Sequence, residues 1–285
     1  MPVDPEKVKK LREMTGLPMM ECKRALEKES GDTDKAYEEL RKGGLKAQEK
    51  LAGRTANEGR IGSHVSPDGK IGVLVALKCE TESVGKNEHF LSFLKSLVEA
   101  IASHHPKDAA AIGSLPLAGG GTVSSGLTDL VNKIRENITI GRFHRFEGDA
   151  VVQYVHFDQK KGGMVALQGG SASNPKVAEA GKELSMQIVF SPPKSLSRET
   201  LDKALVDKER EIILAQVKND PKNAKKPEEI LKKIVEGQLN SFYAANCLVE
   251  QPYIRDQKQS VTQYLTGTGT GVKITSYAYV ATGAD

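Results

Sequence analysis

The same order of elements, strand, turn, strand and helix, occurs twice along this chain. One copy opens at Glu58-Gly59 and the other at Glu147-Gly148. In each copy, apolar and β-branched residues form two short runs around turn-forming residues, and apolar residues at helical spacing follow. An amphipathic helix can cover one face of such a hairpin, so the repeat predicts two related α+β subdomains.

The elements of each copy can be placed by their periodicity. In the first copy we predict strands at residues 60–65 and 70–78, joined by the turn at residues 66–69. A helix follows whose apolar face holds Phe90, Leu94, Leu97, Val98 and Ile101. In the second copy we predict strands at residues 151–156 and 164–167, a helix from 176 to about 189, and a closing strand at 272–280.

Three short helices are predicted ahead of these subdomains, in residues 1–45. Gly16 and Gly31 fall at the two breaks, and Gly43-Gly44 is expected to end the third helix. Each helix has an apolar face, and these faces hold Val8, Leu11 and Met14, then Cys22, Ala25 and Leu26, then Ala36, Tyr37 and Leu40. Residues 46–57 are basic with little apolar periodicity, which predicts a linker or a fraying helix.

An antiparallel helical hairpin is predicted at about residues 198–246, inside the second subdomain. Leu201, Leu205, Ile212 and Ala215 keep an approximate heptad spacing, and Ile230, Ile234 and Val235 would face them. The polar residues 219–226 are predicted to form the turn, and Pro227 suits the first turn of the returning helix. The hairpin could serve to contact a partner or to brace the fold. The predicted domains are therefore residues 1–45, 58–140 and 141–285, with the linker at 46–57.

Sequence motifs that would carry chemistry are missing from the chain. There is no GxxxxGK[ST] phosphate loop, no HExxH and no GxSxG, and Gly267, Gly269 and Gly271 lack the context of a dinucleotide fingerprint. The three cysteines lie far apart and form no CxxC pair. We therefore predict no catalytic residue, no metal, no cofactor and no small-molecule substrate, so the chain is not expected to be an enzyme.

Charge and hydropathy limit the partners and the compartment. The 41 Lys and Arg residues nearly balance 37 Asp and Glu residues, giving a net charge of +4 with both signs interleaved. A dedicated nucleic-acid binder needs a concentrated basic field, so that class is disfavoured. The longest apolar run, residues 71–77, is too short to cross a bilayer, and the N-terminus has no signal core. We expect a cytoplasmic protein without a membrane contact.

One connecting segment differs from the others in composition. Residues 78–90 join an apolar strand to an amphipathic helix and contain small, acidic and flexible side chains. Binding groups are often mounted on such connections. An ordinary polar loop with Asn87 as a helix cap also explains the composition, and the composition alone favours that reading.

Motifs in three parts of the chain resemble the elongation factor Ts family, and the resemblance covers nearly the full length. The opening helices carry Leu-Arg-Glu-Met-Thr-Gly at 11–16 and Met-Met-Glu-Cys-Lys-Arg-Ala-Leu at 19–26. Residues 79–90 are similar to the family segment Cys-x-Thr-Asp-Phe-Val-Ala-Lys-Asn-x-x-Phe. Residues 234–239 and 248–253 resemble its carboxy-terminal signature.

The resemblance implies a fold, a partner and a function. The first helices would form a ubiquitin-associated-like (UBA-like) module that docks on the GTPase elongation factor Tu, and the hairpin would be the family's protruding coiled coil. The chain would act as a guanine-nucleotide exchange factor. Residues 81–84 would act at the partner's magnesium and phosphate site. By this resemblance the partner-binding residues are Thr81, Glu82, Ser83 and Val84, with Leu11, Arg12, Thr15, Gly16, Met19 and Met20 in the first module.

Two departures and two alternatives accompany this interpretation. The family's Asp-Phe pair stands here as Glu82-Ser83, and Gly85 replaces Ala, so a carboxylate is kept on a longer arm while an aromatic side chain is lost. A ubiquitin-binding or chaperone-like adaptor would also use a three-helix module. An RNA- or ribosome-binding protein would use the basic stretch at residues 42–54.

Overall fold

The structure is a computed structural model that describes residues 3–223 and 226–283. The chain begins with three helices, α1 (Pro5–Thr15), α2 (Met19–Lys28) and α3 (Thr33–Leu51). The side chain of Asp4 caps α1 and that of Asp32 caps α3, while Gly16 ends α1 in the left-handed region at φ 66°. The helices pack around the fully buried side chains of Leu11, Cys22, Leu26 and Ala36.

The first α+β unit follows α3. It contains β1 (Glu58–Val65), β2 (Ile71–Cys79), the one-turn helix α4 (Glu82–Gly85), α5 (Glu88–His104), α6 (Ala109–Ile112), α7 (Val123–Ile134) and β3 (Thr139–Glu147). The strands form an antiparallel sheet in the order β1-β2-β3. Helix α5 packs its apolar face on this sheet, as predicted, and buries Phe90, Leu97 and Ile101 completely.

The second unit repeats the hairpin and helix. It contains β4 (Ala150–Val155), β5 (Lys161–Gln168), α8 (Pro175–Phe190), α9 (Lys203–Asn219), α10 (Glu228–Asn246), β6 (Pro252–Tyr253), β7 (Asp256–Ser260), α11 (Val261–Gly267) and β8 (Lys273–Ala281). Its main sheet has the order β4-β5-β8, and all neighbouring strands are antiparallel. Helix α8 covers the outer face of this sheet. The predicted α+β fold class and the predicted strands of both copies are confirmed.

The two main sheets pack face to face and form the centre of the molecule. The side chains between them are Ile61, Leu74, Ala76, Val151, Met164, Ala166, Ala278 and Val280. With a helix on each outer face, the central strands β2 and β5 are covered on both sides, and almost every residue in them is buried. The two units therefore share an apolar interface.

Helix α3 does not end at Gly43-Gly44, and that prediction is wrong. The helix continues to Leu51, whose side chain reaches the core of the first unit. Gly44 lies so close to α7 that an added Cβ would be 3.2 Å from Thr128, whose hydroxyl donates to Gln48 Oε1 at 2.8 Å. Packing against α7 thus outweighs the low helix propensity of two glycines.

Two predicted domain borders fall inside elements. Helix α3 crosses the border at residue 45, and β3 crosses the border at residue 140 while pairing with β2 of the first sheet. The division into domains stays a prediction, although residues 45 and 140 lie inside a helix and a strand. Residues 1, 2, 284 and 285, at the ends of the predicted domains, lie outside the described residues.

The helical hairpin is present, but its buried seam differs from the predicted one. Helices α9 and α10 pack through Val206, Ile213, Val217, Val235 and Leu239. Ile212 and Ile230 were predicted in the seam and are instead 42% and 45% exposed. Leu201 is buried but precedes the helix, which starts at Lys203 after the cap Asp202, so the heptad began on the wrong residue. The predicted turn includes residues 224 and 225, outside the described residues.

Among the residues that the structure describes, no helix combines the length and the apolar character needed to span a bilayer.

Candidate functional site

The segment after β2 is built around a one-turn helix. Strand β2 ends at Cys79, Thr81 stands in extended conformation before α4, and the Asn87 side chain accepts from the His89 amide at 2.9 Å to start α5. The predicted cap role of Asn87 is confirmed. Thr81, Glu82 and Ser83 are exposed, whereas Val84 is half-buried against the core of the first unit. The structure therefore presents three of the four predicted side chains together on one surface.

A carboxylate from a distant part of the chain holds this segment. Glu136, between α7 and β3, accepts from the Thr81 hydroxyl at 2.6 Å and from the amides of Glu80 and Thr81 at 3.1 Å each. Glu80 in turn accepts from the Asn137 amide at 2.7 Å. These bonds fix the backbone that leads into α4. Sequence reasoning missed Glu136, because no local pattern marks a residue so far away along the chain.

Glu82 and Ser83, the two positions at which this chain departs from the family's Asp-Phe pair, have different surroundings. Glu82 forms an ion pair with Lys86 at 3.0 Å, and the hydrogen bond and charge of that lysine lower the pKa of the Glu82 carboxyl. Glu82 is therefore a charged side chain at neutral pH. The Ser83 hydroxyl lies 3.0 Å from Thr81 Oγ1. A small hydroxyl thus occupies the place where the family motif has an aromatic ring.

The space around position 85 explains why a glycine fits there. A Cβ there would lie 3.2 Å from Arg60 Nη1 and 3.4 Å from the carbonyl oxygen of Gly59. Arg60 is buried, and its guanidinium donates to that same carbonyl at 2.7 Å. The side chain of Arg60 therefore takes up the space that a larger residue at position 85 would need.

A cleft of about 450 Å³ lies beside the segment and involves both units. Its lining residues are Arg60, Glu82, Gly85, Lys86, Leu91, Phe157, Asp158, Gln159 and Lys160. The Ile61 amide donates to the Gln159 carbonyl at 2.8 Å, and Lys160 Nζ lies 2.7 Å from Glu58 Oε2. The turn between β4 and β5 is thereby attached to β1, and the cleft has walls from both halves of the chain.

The predicted residues of the first module divide into buried and exposed groups. Leu11 lies in the module's core, Thr15 donates to its carbonyl at 2.7 Å, and Gly16 is the left-handed cap of α1. Arg12, Met19 and Met20 are exposed. Met14, predicted on the buried face, is instead about half exposed.

The first module is attached to the rest of the chain next to Glu136, the residue that holds the segment at residues 81–84. Arg135 donates to Glu21 at 2.8 Å, which joins α2 to the connection that also carries Glu136. The Asn132 side chain donates to the Leu40 carbonyl at 3.4 Å. The end of α7 and the α7–β3 connection therefore contact both the first module and the segment that carries residues 81–84.

Groups that could bind a metal are not gathered in the part of the chain that the structure describes. Across residues 3–223 and 226–283, no three or more His, Cys, Asp or Glu side chains form a metal-binding group. Cys22, Cys79 and Cys247 are free and buried, and burial raises the pKa of the Cys79 thiol to about 12. The arrangement at residues 81–83 is an exposed set of polar side chains on a fixed backbone, suited to contact with another macromolecule.

Comparison with known proteins identifies the family. The family model described as Elongation factor TS matches residues 80–284, so the match begins at the segment just described. The chain belongs to the elongation factor Ts family. The elongation factor Ts of Aromatoleum aromaticum is 42% identical over 267 residues, which cover 93% of this chain and 86% of that protein. That of Cytophaga hutchinsonii is 36% identical over 274 residues, covering 96% of each chain.

More distant members of the elongation factor Ts family align over a similar share. The Clostridium botulinum protein, strain Alaska E43, is 34% identical over 281 residues, covering 96% of this chain and 91% of that protein. These alignments extend the likeness beyond the family-model match into the first module. Family membership makes the chain a translation elongation factor and confirms the resemblance inferred from its motifs.

Proposed function

We propose that this chain is a guanine-nucleotide exchange factor that binds elongation factor Tu carrying GDP and promotes release of the GDP. The observation that carries the proposal is the exposed Thr81-Glu82-Ser83 surface, which lies within the family-model match and on a backbone fixed by Glu136. A fixed surface can hold its side chains against a partner without first losing backbone freedom.

The exchange mechanism needs no covalent step. A protein that binds nucleotide-free elongation factor Tu more tightly than the GDP form must weaken GDP binding by the same factor, because the two binding equilibria are linked. GDP is held chiefly through its phosphates and Mg²⁺. A carboxylate placed beside that site would compete with the contacts of the magnesium ion, and the charged Glu82 is suited to this role.

The other predicted regions would supply affinity. The exposed Arg12, Met19 and Met20 offer a cationic and apolar surface at the turn between α1 and α2. The hairpin of α9 and α10 would make a second contact. We place these interactions in the cytosol, where the partner acts.

Release of a fluorescent GDP analogue from the cognate elongation factor Tu tests the proposal. We expect the release rate to rise steeply with added protein and to saturate as the complex fills. A release rate unchanged by saturating protein would contradict exchange activity. Dominant recovery of ubiquitin or of RNA, with no binding to elongation factor Tu, would instead favour an adaptor or a ribosome-binding protein.

A further inference from the structure

Phe157 is the most exposed large apolar side chain among the described residues. Its exposed fraction is 86%, and it lies at the turn between β4 and β5. A single exposed apolar residue needs no functional explanation by itself. Phe157, however, lines the same cleft as Glu82 and Lys86, although it comes from the other half of the chain. Because Phe157 lies beside the candidate site, its exposed ring is placed to contact the same partner.

The turn that carries Phe157 is held in one conformation. The Gln159 amide donates to the His156 carbonyl at 2.8 Å, and the His156 amide donates to the Lys161 carbonyl at 2.9 Å. Gln159 has φ 58°, a left-handed conformation that a non-glycine residue adopts at some cost. Its carbonyl also accepts from Ile61. The backbone beneath Phe157 therefore loses little freedom when a partner binds.

The ring of Phe157 is also supported from one side. Its centroid lies 4.4 Å from that of His156 at an interplanar angle of 52°. His156 Nδ1 lies 3.0 Å from the hydroxyl of Tyr154. An aromatic ring that is supported on one side and exposed on the other has the properties of an interface anchor, because it buries a large area with few rotatable bonds.

The charges near Phe157 are mostly matched within the protein. Glu82 pairs with Lys86, and Lys160 pairs with Glu58. Leu91, 39% exposed, adds a second apolar side chain to the cleft. An apolar centre with internally neutralised charges around it fits an apolar socket on a folded protein. It does not fit a phosphate backbone, which requires unpaired cations.

We propose that Phe157 is an apolar anchor that inserts into a socket on elongation factor Tu beside the contact made by Glu82. This inference rests on the proposed function. It makes the binding surface composite, with the charged side chain from the first unit and the aromatic side chain from the second. Because the Ile61 to Gln159 bond and the Lys160 to Glu58 pair join the two walls, both groups reach the partner in a fixed relation.

Affinity for nucleotide-free elongation factor Tu provides the first test. Phe157→Ala should weaken binding about tenfold or more, as truncation of an anchor does, while Phe157→Leu should retain most of the affinity. The control is Phe190→Ala, since Phe190 is 75% exposed at the end of α8 and does not line the cleft. That variant should change affinity by no more than about twofold. Melting curves confirm that each variant is folded.

A second test measures directly whether the partner covers position 157. All three native cysteines are buried, so Phe157→Cys and Phe190→Cys each place a single exposed thiol on the protein. Bound elongation factor Tu should slow maleimide labelling at position 157 and leave labelling at position 190 unchanged.

The outcomes separate the inference from the proposed function. Normal binding by the wild type and by Phe157→Ala, with no protection at position 157, would overturn the anchor and leave the exchange function in place. Failure of the wild type to bind elongation factor Tu would overturn both.

Discussion

The Thr81 hydroxyl donates a 2.6 Å hydrogen bond to Glu136 Oε1, and the other oxygen of that carboxylate accepts from the Thr81 amide at 3.1 Å. One side chain thus binds both polar hydrogens of Thr81 and fixes the entry to α4. The exposed surface at residues 81–83 therefore depends on a residue more than 50 positions farther along the chain.

Glu136→Ala should therefore disturb both stability and exchange. It leaves two amides without their acceptor, and we expect a loss of about 1 to 3 kcal/mol in the free energy of unfolding, toward the lower end because water can reach them. Urea denaturation measures this loss, and GDP release should slow in parallel. Glu99→Ala, on the exposed side of α5, is the matched control and should change neither. If the two variants had equal unfolding free energies and GDP-release rates, Glu136 would not be the residue that holds this segment.

Glu82→Ala tests the charged side chain directly. If Glu82 acts in the opening of the nucleotide site, the variant should slow GDP release more than it weakens binding to nucleotide-free elongation factor Tu. Stopped-flow release and equilibrium titration give the two quantities. A loss of affinity with an unchanged maximal release rate would show that Glu82 only binds.

Ser83→Phe tests the lost aromatic side chain. The added ring should contribute about 1 to 3 kcal/mol of binding free energy if the partner retains a complementary pocket, and should reduce affinity through a clash if it does not. The same titration measures the change. An affinity equal to that of the wild type would show that position 83 does not touch the partner.

Two glycine substitutions should change stability in opposite directions. Gly43 lies inside α3 with nothing within 4 Å of an added Cβ, so Gly43→Ala should stabilise the fold by about 0.5 to 1 kcal/mol. At Gly163 in β5 the Cβ would be 2.3 Å from the Ser185 carbonyl oxygen, so Gly163→Ala should destabilise by about 1 to 3 kcal/mol. Thermal or urea unfolding checks both. A destabilising Gly43→Ala would show that α3 needs flexibility there.

His144 in β3 should make stability depend on pH. Burial lowers the pKa of its imidazole, and the charge of Arg142 lowers it further. Below the unfolded value of about 6.5 the unfolded chain takes up a proton that the folded chain does not, so stability falls on acidification. Between about pH 8 and pH 5, His144→Gln should lose less free energy of unfolding than the wild type. His64→Gln is the control, and a pH slope at His144→Gln equal to the wild-type slope would contradict the assignment.

The sequence predicts the strands and the main helices because their signals are local. The short apolar and β-branched runs around turn-forming residues, and the apolar face of α5, are readable within a few residues. Gly43-Gly44 misled the prediction because the contact of Gly44 with Thr128 joins elements distant in the chain. Glu136 and Phe157 were missed for the same reason, since each gains its role only from a neighbour brought close by folding.

Because α3 is unbroken, its length sets both the distance and the rotation of the first module relative to the first unit. Its 19 residues span about 28 Å, from the core of the module to Leu51 in the first unit. Inserting one residue at the exposed Gly43 would turn everything upstream by about 100° around the axis, whereas seven residues, about two full turns, would nearly restore the original direction. Natural insertions and deletions in this helix should therefore be close to whole turns in length, because only those keep the first module in the same orientation relative to the first unit.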